Sequence, residues 1–215
     1  MALSVAACTG EQAPLAVTTA ADAFRAAQTL SGTFLDEPVA IRAEIRFRAP
    51  GDLSWFSDQQ AGAQIAHIVI GDEAWTLAGG GGWRLSDPAL VRDEVLGLID
   101  AIPDQLTSDL SQDLGPGPEV NGEQTRRYRI PAPTFAERVV AEISREQLTH
   151  PITAREAGEL RIAYERAESF TEIVLGLESH RVYEVRSVAI GPGLDIVRTT
   201  TLSAFNESVQ ITPPR

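Results

Sequence analysis

The chain has 215 residues, in which 18 Lys and Arg stand against 30 Asp and Glu, for a formal net charge of −12. This acidic balance argues against a nucleic-acid binder, because binding phosphates requires clustered cations. The single cysteine excludes an internal disulfide framework and any cysteine-based zinc site. Every basic residue is an arginine, which also excludes Schiff-base chemistry on a lysine.

The acidic surplus is concentrated in the middle of the chain. Residues 51–125 contain thirteen acidic residues and only two arginines, Arg84 and Arg92, so they carry almost all of the net charge. Solvated loops and helix faces are the ordinary explanation of such a segment. The alternative is an acidic surface that docks a basic partner.

The N-terminal residues resemble the lipobox of bacterial lipoproteins, in which small residues precede a cysteine that becomes lipidated. The sequence Leu-Ser-Val-Ala-Ala precedes Cys8, and a polar, aperiodic segment follows it. Only seven residues precede Cys8 and none is charged, whereas a signal peptide has a charged start and an apolar stretch of roughly 7–15 residues. We interpret residues 1–17 as a signal-peptide remnant, lipobox and tether, with Cys8 as the lipid-attachment site. An ordinary cysteine in a frayed terminus is the alternative.

Residues 18–215 are predicted to form a single domain that begins with a helix and continues as an antiparallel meander. The Ala-rich residues 20–30, with Thr18 or Thr19 as the cap, predict the helix. Alternation of apolar and polar residues between turn signals predicts the strands that follow. These strands cover residues 39–48, 53–56, 65–70, 73–77 and 83–85.

A helical segment is predicted after the meander. Asp87 followed by Pro88 is typical of a helix N-terminus, and Pro103 marks a break. The apolar face of this helix carries Val91, Val95, Leu98 and Ile102. Leucines at helical spacing predict a second helix over residues 106–114.

The second half of the chain is predicted to mix helices with strands. A capping box of Thr134 and Glu137 predicts one helix. A second box of Thr153 and Glu156 predicts another helix, which Gly158 is expected to shorten. Asn121-Gly122 is a hairpin turn signal. Strands are predicted over residues 125–130, 160–164, 172–177, 181–190 and 194–205.

About ten antiparallel strands with about three helices predict an α+β fold. An open sheet of roughly ten strands tends to curl, and a curled sheet with few helices leaves an apolar face that side chains do not fill. The periodicity therefore permits a ligand cavity. It permits a fully packed sandwich equally well.

Three passages resemble the LolA/LolB-like superfamily of lipoprotein carriers, particularly lipoproteins of the LppX/LprG type. They are residues 68–75 followed by Trp83, residues 120–128 and residues 202–214. The resemblance implies a strongly curved antiparallel half-barrel that is closed by helices and holds acyl chains. It also implies anchoring through a lipidated N-terminal cysteine, which matches Cys8.

Candidate ligand-lining residues follow from strand alternation and helical spacing. They are Ile41, Ile45, Phe47, Trp55, Ile68, Ile70, Trp75, Val95, Leu98, Val139 and Ile143. The tryptophans would suit either core packing or the rim of a lipid opening. We find no catalytic motif, and the three histidines have no metal-ligand spacing, so we expect neither an enzyme nor a cofactor or metal.

The sequence thus predicts a cell-envelope lipoprotein that binds a lipid or acyl chains in a hydrophobic cavity, for lipid or lipoprotein transport. We expect a monomer at the outer face of the cytoplasmic membrane or in the periplasm. Its partners would be the lipid, the membrane reached through the anchor, and a partner lipoprotein or transporter, with no nucleic acid. The alternatives are an envelope sensor domain for lipids or lipoproteins and a ligand-free interaction module.

Overall fold

A computed structural model of the protein describes residues 23–34, 37–59, 64–77, 81–100, 102–106, 110–146 and 154–214. Within these residues the chain forms one antiparallel sheet of eleven strands and four helices, which confirms the predicted α+β half-barrel class. Cys8 and the tether lie outside the described residues.

The strands are β1 (Ala23–Phe34), β2 (Glu37–Arg48), β3 (Asp52–Gln59), β4 (Gln64–Ile70), β5 (Glu73–Leu77), β6 (Arg84–Ser86), β7 (Gln112–Pro116), β8 (Thr125–Pro131), β9 (Glu168–Gly176), β10 (Val182–Gly191) and β11 (Leu194–Ser203). The helices are α1 (Pro88–Asp100), α2 (Ile102–Leu106), α3 (Phe135–Glu146) and α4 (Ala154–Glu165). The strand order across the sheet is β6-β5-β4-β3-β2-β1-β11-β10-β9-β8-β7. The first and last strands of the chain therefore pair at the centre of the sheet.

The predicted first helix is wrong, because residues from Ala23 onward form the central strand β1. Phe24, Ala26, Leu30 and Phe34 share one buried face of this strand, and β1 forms ladders with both β2 and β11. Helix propensities differ by less than about 1 kcal/mol per residue, so two complete ladders override them. β1 also requires Gly32, since a Cβ at that position would lie 1.8 Å from the carbonyl oxygen of Asp195.

The connection from β6 to β7 crosses the helix-bearing face of the sheet, which we call the inner face. α1 packs on β4 and β5, and α2, which follows after one residue, packs on β8. On a flat sheet β4 and β8 would lie about 34 Å apart, at about 4.8 Å per strand. The two helices placed end to end measure only about 27 Å. The sheet must therefore curve around them.

The first helix pair begins as predicted and ends earlier. The backbone N–H of Ala89 donates to Asp87 Oδ1 at 2.8 Å, which confirms Asp87 as the N-cap. α2 ends at Leu106, and the helix predicted over residues 106–114 is wrong for residues 112–114, which belong to the edge strand β7 paired with β8. Residues 107–109 lie outside the described residues. A register shift between Asp113 and Gly115 makes this edge irregular.

The second helix pair also departs from prediction. α3 begins after Thr134 as expected, but α4 continues through Gly158, and residues 160–164 are helical rather than a strand. α4 packs closely on β10, because a Cβ on Gly191 would stand 2.9 Å from the carbonyl oxygen of Ala163. Packing on the sheet therefore outweighs the modest cost of a glycine within the helix.

Glu123 links two turns at one end of the sheet. Its carboxylate accepts hydrogen bonds from the backbone N–H groups of Glu178 (2.8 Å) and Ser179 (2.7 Å), from Ser179 Oγ (2.8 Å) and from the Tyr183 hydroxyl (2.7 Å). Burial alone would raise the pKa of Glu123, but these hydrogen bonds outweigh it and lower the pKa from 4.5 to about 2. The ionised carboxylate thus ties the turn before β8 to the β9–β10 turn.

We predict that Glu123→Gln lowers the free energy of unfolding by about 2 kcal/mol at neutral pH, through loss of charge-assisted hydrogen bonds. The folded pKa lies below 4.5, so this stabilisation is complete above that pH and is lost as pH falls towards 2. The variant and the wild type should therefore converge in urea denaturation between pH 4.5 and pH 2. Glu178→Gln, an exposed change in the same turn, is the control. A difference that does not depend on pH would contradict the prediction.

Candidate functional site

The candidate site is the inner face of the three central strands, β1, β2 and β11. The helices pack mainly on other strands: α1 on β4 and β5, α2 on β8, α3 on β9 and β10, and α4 on β10. Besides Gly32, four inner-facing residues of the central strands are only half-buried, although these strands lie in the middle of the sheet. We call these residues, Gln28, Ala43, Phe47 and Arg198, the central strip.

Two apolar clusters lie toward opposite ends of the strands on the inner face. The α1 cluster joins Phe24, Ile45, Leu53 and Trp55 of the sheet to Val91, Val95 and Ile99 of α1. The α3 cluster joins Leu30, Ile41 and Ile196 of the sheet to Phe135 and Val139 of α3. Each helix pair therefore has its own core. Gln28, Ala43 and Arg198 of the central strip lie between the two cores, and Phe47 packs against the α1 cluster.

A band of polar side chains crosses the inner face between the clusters. Gln28 Nε2 donates to Thr200 Oγ1 at 3.2 Å, and Trp55 Nε1 donates to Gln28 Oε1 at 3.4 Å. Farther along the band the hydroxyls of Thr171 and Ser187 bond at 2.9 Å, with both residues fully buried. We call this band the polar seam, and its members are Gln28, Thr200, Arg198, Ser187 and Thr171.

The cross-strand register places the seam residues side by side. Thr200 of β11 is opposite Gln28 of β1, and Arg198, two residues earlier, is opposite Ser187 of β10. Ser187 is in turn opposite Thr171 of β9. Arg198 also faces α3, since its guanidinium carbon lies 5.6 Å from the ring centre of Phe135. The seam therefore runs from the central strands to the flank that α3 covers.

Six of the predicted lining residues lie on the inner face. Ile45, Phe47, Trp55 and Val95 belong to the α1 cluster or pack against it, and Ile41 and Val139 belong to the α3 cluster. The side chains of Leu98 and Ile143 lie outside the described part of the structure. The sequence thus identified members of both inner clusters.

Ile68, Ile70 and Trp75 lie on the opposite, outer face of the sheet. They pack there with Val209 and Ile211 of the C-terminal segment. Ile68 lines an outer cavity of about 250 Å³ together with Arg46, Phe56, Trp83 and residues 210–214. The structure therefore does not bring these three residues together with the other lining candidates.

The polar seam was missed in the sequence. Gln28 fell within the predicted helix, and Thr200 stands between two other threonines, so neither residue carried a distinctive pattern. The seam could be recognised only from polar residues at inward-facing positions of the strands, and these positions are known only once the register is known. Sequence periodicity gives the two faces of a strand but does not say which face is covered.

Arg92 fixes α1 over the sheet. Its Nε donates to the carbonyl oxygen of Gly51 at 3.0 Å, and its Nη2 donates to that of Gly71 at 2.7 Å. One helix is thereby bonded to the β2–β3 and β4–β5 turns. Among the described residues there is no group of three or more His, Cys, Asp or Glu that could hold a metal ion. None of the described helices is long and apolar enough to cross a membrane.

Comparisons with known proteins show a likeness of the fold. No protein-family model matches the sequence, and no curated protein matches it. The lipoprotein LppX of Mycobacterium tuberculosis is 15% identical, and the match covers 93% of this chain and 94% of that chain with a TM-score of 0.52. LprF of Mycobacterium bovis is 15% identical, with 94% and 93% covered and a TM-score of 0.46. The likeness to LppX confirms the predicted resemblance at the level of the fold.

We predict that Arg92→Met loosens α1 without unfolding the sheet. The change removes two hydrogen bonds from a cation to turn carbonyls, each worth about 1.5–3 kcal/mol. Amide hydrogen exchange should therefore accelerate in α1 and in the two turns, while β10 and β11 stay protected. Arg84→Met is the matched control, because the Arg84 side chain is exposed and makes no hydrogen bond or ion pair within the described residues. Equal rates of amide hydrogen exchange in α1 in the two variants would contradict the proposed role of Arg92 in holding this helix on the sheet.

Proposed function

We propose that the protein is a non-enzymatic cell-envelope lipoprotein that holds a lipid, or the acyl chains of another molecule, against the inner face of its sheet. The observation that carries this proposal is the central strip. Ala43 is an apolar residue at the middle of the sheet that keeps part of its surface exposed between two helix-covered clusters, and Phe47, which packs against the α1 cluster, is also only half-buried. An alkyl chain bound at the central strip would contact apolar side chains of both clusters.

Apolar burial supplies the driving force in this proposal. Each buried methylene contributes about 0.8 kcal/mol, so affinity would grow with chain length more than with the headgroup. The fold that this chain shares with the lipoprotein LppX supports the same function. The absence of a lysine and of a catalytic motif in the sequence supports a carrier rather than an enzyme.

We expect Ala43→Trp to weaken binding of cis-parinaric acid about tenfold, measured by fluorescence titration. The indole would displace the equivalent of about two methylenes, or ~1.6 kcal/mol, which corresponds to about tenfold in Kd. Ala43 suits this test better than Ile45, which is fully buried and would not tolerate a large side chain.

The matched control is Ala27→Trp on the neighbouring strand. Ala27 is exposed, and its register partner Glu44 is adjacent to Ala43, so the change places the same indole on the outer face. This control should bind the probe like the wild type. Unchanged binding in a folded Ala43→Trp variant would remove the central strip from the proposed site.

Cys8 is proposed as the anchor of this carrier. When the protein is expressed in its natural host from its own gene, cells fed labelled palmitate should incorporate the label into the wild type and not into Cys8→Ser. The variant should also move from the membrane fraction to the aqueous fraction, because the protein without its lipid anchor has no acyl chains in the bilayer. Label in Cys8→Ser, or none in the wild type, would refute lipidation at this residue.

A further inference from the structure

The outer cavity lies between the sheet and the C-terminal segment. Ser54 of β3 and Ile68 of β4, which are register partners, line it on the sheet side, and residues 210–214 line it on the other. Its volume of about 250 Å³ equals that of about eight waters at roughly 30 Å³ each, so it suits a molecule of about a dozen non-hydrogen atoms. The cavity is on the opposite face of the sheet from the central strip.

A buried hydroxyl group lines this cavity without a partner. Ser54 is only 5% exposed, and its Oγ makes no hydrogen bond within the described residues. A buried hydroxyl without a hydrogen bond destabilises the folded state. A ligand in the cavity would supply the missing partner.

Two arginines face each other at the cavity. Arg46 lines it and is the register partner of Arg25 on β1, so two like charges are directly opposite on the outer face. Arg46 Nε donates to Glu44 Oε1 at 2.8 Å, whereas its two Nη groups make no hydrogen bond within the part of the chain that the structure describes. The Arg25 side chain makes no ion pair there either. Two guanidinium groups and one carboxylate leave one uncompensated positive charge beside the cavity.

Aromatic rings give the cavity its apolar surface. Phe56 is two residues from Ser54 on the same face of β3, and it is 45% exposed although it lines the cavity. Trp83 and the rings of Pro213 and Pro214 line it as well. Flat rings pack well against another flat ring, so the apolar part of a ligand here would be aromatic.

We infer that the outer cavity is a second binding site, which takes a small aromatic carboxylate. The carboxylate accepts hydrogen bonds from the Nη groups of Arg46 and from the Ser54 hydroxyl, and Arg25 supplies the surplus positive charge. The ring of the ligand lies against Phe56. A monoanion fits better than a dianion, because Glu44 at the same place repels a second negative charge. The inference is independent of the proposed function of the inner face.

Two probes of the same shape test the inference by isothermal titration calorimetry at neutral pH. 2-Naphthoate carries the carboxylate, and 2-naphthamide is its neutral counterpart. The wild type should bind 2-naphthoate at least tenfold more tightly, because only the anion gains charge-assisted hydrogen bonds from Arg46. Raising the salt concentration should reduce this preference.

Arg46→Met should weaken binding of 2-naphthoate about tenfold and leave binding of 2-naphthamide unchanged. The matched control is Arg42→Met, because Arg42 is exposed on the same face of β2 and does not line the cavity. This control should bind both probes like the wild type. Glu44→Gln should act in the opposite direction and tighten binding of 2-naphthoate, since it removes the competing carboxylate from Arg46.

Equal binding of the two probes by the wild type, or no binding of either, would overturn the inference. A preference for 2-naphthoate that survives in Arg46→Met would also overturn it. If Arg46→Met lacks a cooperative thermal transition, Arg25→Met serves in its place, because Arg25 is exposed.

The inner-face variant Ala43→Trp separates this site from the proposed carrier site. It should bind 2-naphthoate like the wild type, whatever it does to cis-parinaric acid. Loss of 2-naphthoate binding in Ala43→Trp would assign the probe to the inner face and overturn the second site. Failure of the wild type to bind cis-parinaric acid would count against the carrier function and leave the outer site standing.

Discussion

The architecture depends on one constraint of the chain path: β6 and β7 occupy opposite edges of the sheet but are joined through only two helices. α1 and α2 together are too short to span a flat sheet from β4 to β8, so the sheet has to curve around them. The helices pack mainly on strands at either side of the central three. Part of the inner face of the central strands is therefore not covered by either helix pair.

Two hydrogen-bonded pairs within the polar seam lower the cost of placing polar side chains on the inner face. Thr171 and Ser187 are fully buried and share a hydrogen bond, and Gln28 and Thr200 form a second pair. A buried polar group costs little once it is bonded, whereas a half-satisfied one is expensive. The seam therefore separates two apolar clusters without destabilising the sheet, and its accessible end lies on a central strand.

Much of the fold could be predicted from turn chemistry and strand alternation. The Asp87 cap, the Asn121-Gly122 turn and the alternating strand β2 are local signals, and the structure contains all three. β1 could not be recognised, because its composition favours a helix and its pairing with β2 and with β11, which is far away in sequence, makes it a strand. For the same reason the seam, which exists only through long-range register, was not predictable.

β4 shows why the predicted lining residues include residues from both faces of the sheet. Residues 65–70 are apolar almost throughout, because α1 covers the inner side of β4 and Val209 and Ile211 cover its outer side. The central strands differ, since β2 alternates inner apolar residues with outer charged ones such as Arg42 and Glu44. An apolar face of a strand that no other part of the protein covers is an incomplete core. At Ala43 and Phe47 the proposed acyl chain would supply the surface that the C-terminal segment supplies for Ile68.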